Sequence, residues 1–376
     1  MRFLFTCGGT AGHIYPALGI AGYIKKVMPD SEILFVGAEG NMETELVPRE
    51  GYRITTVTVT NLQRSFKPEK IFHNIKAFKN ILTSIAEAKK IIREFLPDAA
   101  VGTGGYVCYP VLRAAADLKV PAVIHESNAV PGLTTKMLES AVDKVLTGFD
   151  VARSEYKDKD KVIVTGTPVR VEFENTDKEK AMSELGLDNN KPLVVSVWGS
   201  LGSDHMNDIM TDFIKRLYRK PTFRLIHASG NRGYAEVTAK LNAGGLNDLM
   251  NCGIDVREFI FDMPRVMAAA DLVLCRSGAS TLSELCALGK PSILIPSPNV
   301  TGRHQEKNAK IMKDSNAAAV MPEGSFTADS LLGEVSSLLN DPGQLARMSQ
   351  AAKQMSPENA TARIAEIIFG LAKKSV

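Results

Sequence analysis

One junction recurs along this chain and limits what it can fold into: a short apolar run that ends in a glycine-rich turn and passes straight into a helix. The first occupies Met1 to Lys26. There Phe3 to Phe5 lead to the adjacent glycines Gly8 and Gly9, and an amphipathic segment with Pro16 near its start follows Thr10-Ala11-Gly12-His13. The junction returns at Gly102-Thr103-Gly104-Gly105-Tyr106, Gly199-Ser200-Leu201-Gly202-Ser203, Ser229-Gly230-Asn231-Arg232-Gly233 and Ser277-Gly278-Ala279-Ser280-Thr281. Glycine lets the backbone turn sharply and approach a ligand closely, and the amides at a helix start attract an oxygen-rich anion such as a phosphate. Unbroken apolar strands alternating with helices predict a parallel sheet covered on both faces. Turns at the carboxyl ends of such strands line its ligand crevice.

Two series of strands are legible. The first runs through Glu32 to Val36, Arg53 to Val59, Ala99 to Val101, Ala122 to Ile124, Lys144 to Leu146 and Val162 to Val164. The second begins at Leu193 to Val197 and ends at Ala317 to Val320. A chain of 376 residues exceeds one ordinary core. The expectation is therefore an α/β protein of two Rossmann-like domains whose parallel sheets face a central cleft, with an anion site on each wall. Residues 1–168 form the first domain and 169–356 the second, with the polar stretch Glu172 to Glu179 as linker. The closing helix, 357–376, has an apolar face (Ala362, Ile364, Ala365, Ile368, Leu371) that is expected to pack back on the first domain.

Other classes are disfavoured. The opening turn does not read G-x-G-x-x-G, and no Walker A lysine follows any of the turns, so nucleotide binding without hydride or phosphoryl transfer remains. A net charge of +3 is too small to point to nucleic acid. Five scattered cysteines without C-x-x-C spacing fit a reducing, cytosolic setting. The uncharged stretch Phe3 to Ile24 is interrupted by glycines, His13 and Pro16, which suits neither a signal peptide nor a membrane span. Asp158 and Asp160 have the spacing of a metal-binding carboxylate pair, but they stand among lysines, where mixed charge indicates solvent.

Two residues carry chemistry at these turns. His13 would sit beside the first anion pocket, where an imidazole accepts a proton near neutral pH; a packed or capping histidine is the alternative. Glu284 lies in the first turns of the helix that begins near Ala279. A carboxylate there can accept two hydrogen bonds from a ribose while the helix start faces a diphosphate, or it can serve the helix dipole alone.

Six segments in order, GGTAGHIYPAL from Gly8, GTGGYVCYPV from Gly102, HESNAVPG from His125, TGTPVR from Thr165, RSGASTLSELCALGKPSILIPSP from Arg276 and HQEKNA from His304, resemble glycosyltransferase family 28 almost end to end. The resemblance is to its members that transfer N-acetylglucosamine from UDP-N-acetylglucosamine to undecaprenyl-diphospho-N-acetylmuramoyl-pentapeptide, making lipid II for peptidoglycan. It implies the two-domain GT-B architecture and an inverting displacement that gives a β-1,4 bond, without metal or other cofactor. It also implies a peripheral protein at the cytoplasmic face of the membrane.

Carried over residue by residue, the resemblance makes His13 the first choice for general base and Glu126 the second. Donor contacts fall on Thr10, Ala11, Gly12, Asn128, Arg170, Ser200, Ile260, Ala279, Ser280, Thr281, Leu282, Ser283, Glu284 and Gln305. Gly104, Gly105 and Tyr106 would address the acceptor diphosphate, as would the opening turn. Three departures stand out. Ala11 replaces a usual glycine, Trp198 and Leu201 alter the turn at Gly199, and Ser127 replaces a usual glutamine. Finally, Ile71, Phe72, Ile75, Phe78, Ile81 and Leu82 interleave at helical spacing with Lys67, Lys70, Lys76 and Lys79. Such a basic amphipathic segment suits an anionic membrane surface, or a helix packed on the sheet.

Overall fold

The computed structural model describes residues 1–59, 68–174, 176–188, 190–199, 202–246, 248–300, 303–355 and 359–373, and for 68–79, 171 and 174 the backbone alone. Two compact units emerge, Met1–Val171 together with Pro357–Val376, and Glu172–Ser356.

Unit 1 is built on seven strands: β1 (Arg2–Thr6), β2 (Glu32–Ala38), β3 (Arg53–Val57), β4 (Ala99–Gly102), β5 (Ala122–Glu126), β6 (Lys144–Thr147) and β7 (Val162–Val164). All pair in parallel, in the order β3-β2-β1-β4-β5-β6-β7. The chain starts in the middle, winds outward to β3, and returns to lay β4 beside β1. The direction of winding therefore reverses at the carboxyl ends of β1 and β4, the switch point where open α/β sheets bind ligands. The glycine turns after Thr6 and Gly102 flank that point.

Alternation along β1 divides the core. Phe3 and Phe5 join the apolar face of the helix Ala11–Val27, whereas Leu4 lies on the other face with Ala88, Ile92, Val111 and Leu112. The terminal helix Ala360–Ala372 buries Ile364, Ala365 and Ile368 in the first of these clusters, and the Phe369 ring lies 5.8 Å from that of Phe3.

Unit 2 repeats the plan with six parallel strands: β8 (Leu193–Val197), β9 (Arg224–Ala228), β10 (Ile254–Arg257), β11 (Leu272–Cys275), β12 (Ser292–Leu294) and β13 (Ala318–Val320), in the order β10-β9-β8-β11-β12-β13. Its switch point falls at β8 and β11, again between two glycine turns. One core packs Val194, Leu225 and Leu272 of the sheet with Met206, Met210 and Phe213 of the helix Asp204–Arg219.

The linker departs from the sequence expectation. The stretch read as a linker contains the short helices Val171–Glu174 and Lys178–Glu184, the second capped by the Asp177 carboxylate, and Phe173 is buried. Elements this short show no apolar period. The basic amphipathic stretch belongs to one helix, Pro68–Phe95. Its residue Lys67 and the side chains of Lys70, Ile71, Phe72, Ile75, Lys76, Phe78 and Lys79 lie outside what the structure describes. Among the described residues no helix is long and apolar enough to cross a membrane.

Candidate functional site

At the switch point of unit 1 the two glycine turns lock together. Gly105 (φ +88°) runs so close to Gly8 that a Cβ on it would lie 2.2 Å from the Gly8 carbonyl oxygen, and a Cβ on Gly104 (φ +112°) would lie 2.4 Å from His13 Nδ1. Neither position admits a side chain. The Gly8 amide donates to the Gly104 carbonyl at 3.3 Å. Behind the turn stands the fully buried Glu43, whose Oε2 accepts the Gly9 amide and Oε1 the Ala38 amide at the end of β2, both at 3.1 Å. Two thiols floor the site. Burial pushes the Cys7 thiol well up and that of Cys108 up to about 12, so both stay protonated at neutral pH.

His13 Nδ1 lies 3.2 Å from the Thr103 carbonyl oxygen, and the Thr103 hydroxyl donates to the His13 carbonyl at 2.6 Å. A carbonyl only accepts, so Nδ1 carries the proton and the lone pair of the neutral ring is on Nε2. Ala11 opens the helix, and the positive φ of the turn falls on Gly9. Alanine is therefore accommodated at residue 11 without backbone strain. Tyr106 accepts a 2.6 Å hydrogen bond from Asn41 Nδ2, and the Arg170 guanidinium lies 5.1 Å from the centre of the Tyr15 ring.

At the end of β5, Glu126 is buried and its carboxylate serves its own loop. Oε1 accepts from the backbone and side-chain amides of Asn128, each at 3.0 Å, and Oε2 from the Gly132 amide and the Thr135 hydroxyl, each at 2.8 Å. Four donors match the four lone-pair sites of a carboxylate. Next to it, His125 Nε2 donates to the Gly166 carbonyl at 2.8 Å, leaving Nδ1 to accept from Ser127 Oγ at 3.3 Å. Burial holds the His125 pKa down. The serine at 127 thus supports a buried neutral imidazole.

In unit 2 the helix Ala279–Leu288 follows β11. Its N-cap is Gly278, which has no side chain to satisfy the first amides, and its first turn holds no acid. Ala279 and Leu282 are buried, which confines them to backbone contacts with a ligand. Ser283 Oγ donates to the Ala279 carbonyl at 3.1 Å. Glu284 is half-buried in the second turn of that helix. Burial first, and then the Glu284 charge, raise the Cys275 thiol. Gln305 braces the site through two atoms: its carbonyl accepts from Ser277 Oγ at 2.7 Å, and its Oε1 accepts the Ser297 amide at 2.9 Å. Opposite, Gly202 (φ +78°) lies against the Ser229 carbonyl, which also accepts from Asn207 Nδ2 at 2.9 Å. Ile260 is buried beside Phe261, which is 75% exposed and tilted on Phe259 at 4.8 Å. Ser200 and Leu201 lie outside the described residues.

Most of the predicted residues thus gather at two places; Ile260, beyond β10, and Arg170, beside Tyr15, lie apart from them. Thr10 to His13 and Gly104 to Tyr106 line the switch point of unit 1, with Glu126 and Asn128 one strand farther along. Ala279 to Glu284 and Gln305 surround that of unit 2. Glu43, Asn207 and the buried His125 had not been singled out from the sequence, and only His125 stood inside a recognised segment. Asp158 caps a surface turn by accepting the Asp160 amide at 3.2 Å. Among the described residues no group of three or more His, Cys, Asp or Glu is placed to hold a metal ion.

Known proteins resemble this chain over its whole length. The profile of the glycosyltransferase family 28 N-terminal domain matches residues 3–147, and that of the C-terminal domain matches residues 193–364. The UDP-N-acetylglucosamine–N-acetylmuramyl-(pentapeptide) pyrophosphoryl-undecaprenol N-acetylglucosamine transferase of Acetivibrio thermocellus is 44% identical over 373 residues, covering 99% of both chains. The protein of the same name from Caldanaerobacter subterraneus subsp. tengcongensis is 41% identical over 368 residues, 98% of this chain and 99% of its own. Among solved structures, Acinetobacter baumannii MurG superposes with a TM-score of 0.73 at 24% identity, covering 98% of this chain and 99% of that one. The UDP-GlcNAc 2-epimerase from Neisseria meningitidis gives 0.65 at 16%, covering 98% and 100%. At such identities these two structures establish the fold alone: two parallel-sheet α/β units of the GT-B kind. With the sequence relatives and both domain profiles in order, the chain belongs to glycosyltransferase family 28.

Proposed function

We propose that the chain transfers N-acetylglucosamine from UDP-N-acetylglucosamine to the C4 hydroxyl of undecaprenyl-diphospho-N-acetylmuramoyl-pentapeptide. The observation that carries this reading is the full-length identity of 44% and 41% to relatives whose names state that donor and acceptor. Unit 1 takes the acceptor diphosphate at the interlocked turns, where Gly8 and Gly9 turn their amides inward and the helix start at Thr10 and Ala11 meets the anion. Unit 2 takes the nucleotide: the start of the helix Ala279–Leu288 faces its diphosphate, Glu284 its ribose and the backbone of Ile260 its uracil. The other donor contacts, from Asn128, Arg170, Ser200 and Gln305, belong to the same reading.

In the reaction the acceptor oxygen bonds to the anomeric carbon as the bond to UDP breaks, inverting that carbon. His13 Nε2 accepts the hydroxyl proton, because Thr103 fixes the other nitrogen as a donor. Glu126 is a positioning residue, since its lone pairs already hold the loop that presents Asn128. The negative charge growing on UDP is met by backbone amides and a helix dipole, the preorganised form of stabilisation that most lowers such barriers. The protein works at the cytoplasmic face of the membrane as a peripheral enzyme.

The test is incubation with radiolabelled UDP-N-acetylglucosamine, with and without lipid-linked muramoyl acceptor. Label entering the lipid phase only with acceptor is the expected result. Acceptor-independent release of UDP would replace this reading with an epimerase, and binding without turnover would replace it with a sugar-nucleotide binding protein.

A further inference from the structure

Arg276, the first residue after β11, touches the carboxyl ends of four strands at once. Its Nη1 donates to the Ile295 carbonyl, just past β12, at 3.1 Å, and to the Glu323 carboxylate beyond β13. Its Nη2 donates to Ser203 Oγ, in the turn after β8, at 2.9 Å. The guanidinium also lies 5.9 Å from the centre of the Trp198 ring, at the start of that same turn. The strands concerned, β8, β11, β12 and β13, are consecutive neighbours in the sheet. The Arg276 and Glu323 side chains are only 11% and 10% exposed, and Trp198 is 2% exposed.

We propose that Arg276 and Glu323 form a positioning staple. It holds Trp198 and Ser203, which follow β8, together with Ser277-Gly278 and the segments after β12 and β13 at the spacing that donor binding requires, and it rests on the donor reading above. Three features of the geometry support a bracing role over direct contact with the ligand. The charge of Arg276 is cancelled locally by Glu323. Its donors are directed at a carboxylate, a carbonyl and a hydroxyl of the protein. Its guanidinium lies within cation–π reach of the buried Trp198 ring, at 5.9 Å. A planar fork suits this task because it fixes several acceptors in one plane, which a lysine ammonium on a flexible stem does not. What remains to meet an anionic ligand is the helix start at Ala279, two residues beyond the Ser277 carbonyl that Asn308 Nδ2 holds at 3.1 Å.

The full chain and its Glu323→Gln, Arg276→Lys and Ser203→Ala variants would be titrated with UDP by calorimetry and assayed for transfer. The staple predicts that Glu323→Gln and Arg276→Lys each weaken UDP binding about tenfold, and Ser203→Ala about threefold, on the scale of lost charge-assisted hydrogen bonds. KM for UDP-N-acetylglucosamine should rise in parallel while kcat stays within about threefold, the signature of lost ground-state binding. The double variant Glu323→Gln/Arg276→Lys should be little worse than either single one, since both open the same contact. Trp198, the sole tryptophan of the chain, lies beside the guanidinium, and its emission should change in both single variants. If Arg276 instead grips the diphosphate, Glu323→Gln removes a competing anion. UDP binding that is unchanged or tighter in that variant overturns the staple. Ser203→Ala decides the question should the buried pair prove necessary for folding, because it trims one hydroxyl and leaves the pair intact; unaltered UDP binding there overturns the proposal equally. A wild-type chain that fails to bind UDP refutes the donor reading and the staple with it. A wild-type chain that binds, beside variants that bind as well, refutes the staple alone.

Discussion

Replacing Glu43 tests whether the first glycine turn is held from behind. The carboxylate is fully buried and accepts the Gly9 and Ala38 amides, both at 3.1 Å, so it joins the turn after β1 to the end of β2. Alanine removes the acceptor of one buried amide, Ala38, and of one part-buried amide, Gly9. A hydrogen bond to a carboxylate contributes about 1.5–3 kcal/mol, which gives a loss of about 4 kcal/mol for Glu43→Ala. Glutamine keeps one oxygen but points an NH₂ group at the other amide, so about half that loss is expected for Glu43→Gln. For a unit of this size each kcal/mol lowers the melting midpoint by about 2–4 °C. The unit 1 transition should therefore fall by about 8–16 °C in the alanine variant and about 4–8 °C in the glutamine variant, read by scanning calorimetry. Amide exchange supplies a local readout, because Gly9 and Ala38 should lose protection together while amides of unit 2 do not change. A Glu43→Ala chain melting within about 2 °C of wild type would refute the reasoning, as would loss of protection at one amide without the other.

Further outcomes follow from the same contacts. Gly105→Ala places a Cβ 2.2 Å from the Gly8 carbonyl at a φ of +88°, so it should destabilise unit 1 by about 3 kcal/mol or more in denaturant unfolding. Gly40→Ala, at φ +72° with nothing within 4 Å, should cost only about 1–2 kcal/mol. Glu126→Gln should raise the KM for UDP-N-acetylglucosamine, through Asn128, and leave the acidic limb of the pH–rate profile in place, whereas His13→Gln should remove that limb; a limb lost with Glu126→Gln instead would give the proton-accepting role to Glu126. Burial lowers the His227 pKa from 6.5 to about 4. The unfolded chain thus binds a proton there that the folded chain refuses, and stability should fall as pH drops from 6.5 towards 4, by up to about 3 kcal/mol from this residue. Urea unfolding across that range should show a shallower slope in His227→Gln, and an unchanged slope would exclude the residue as its source.

What the sequence made legible is what local pattern carries. β7 and β8 begin and end where their apolar runs do, and the helices Ala279–Leu288 and His304–Asp314 begin where the turn residues place them. Tertiary pairing trimmed other elements: the apolar pattern continues to Val59, but β3 ends at Val57, where its register with Ala38 of β2 runs out. In the candidate site, the glycines and His13 could be read because a turn and a proton acceptor are local chemistry. Glu43 could not, since its carboxylate reaches a turn 34 residues earlier. The Arg276 to Glu323 contact spans 47 residues and leaves no periodic mark. Glu126 shows the same limit from the other side: the sequence displays a carboxylate near a cleft-type motif, but the four donors that occupy it become visible only when the loop to Thr135 is folded.

These two hidden carboxylates raise an electrostatic question, because each stands close to a site proposed for a diphosphate. A bare negative charge there would oppose binding, and a buried unpaired one would be costly in itself. Both are hydrogen-bonded within the unit, Glu43 to two backbone amides and Glu323 to the Arg276 guanidinium, which also cancels its charge. What each site then presents outward is the positive end of a helix, Ala11–Val27 in unit 1 and Ala279–Leu288 in unit 2. Neither has an acid in its first turn or a side-chain cap. An acid there would stabilise the helix by about 0.3–1 kcal/mol, as Asp329 and the Thr327 capping box are placed to do for Ala328–Leu339. At both switch points the chain forgoes that gain, which suits a helix start proposed to meet an anion. The buried carboxylates serve geometry, bracing the turns that lead into those helix starts, and in the proposed function the attraction for phosphate comes from the helix dipole and its first amides.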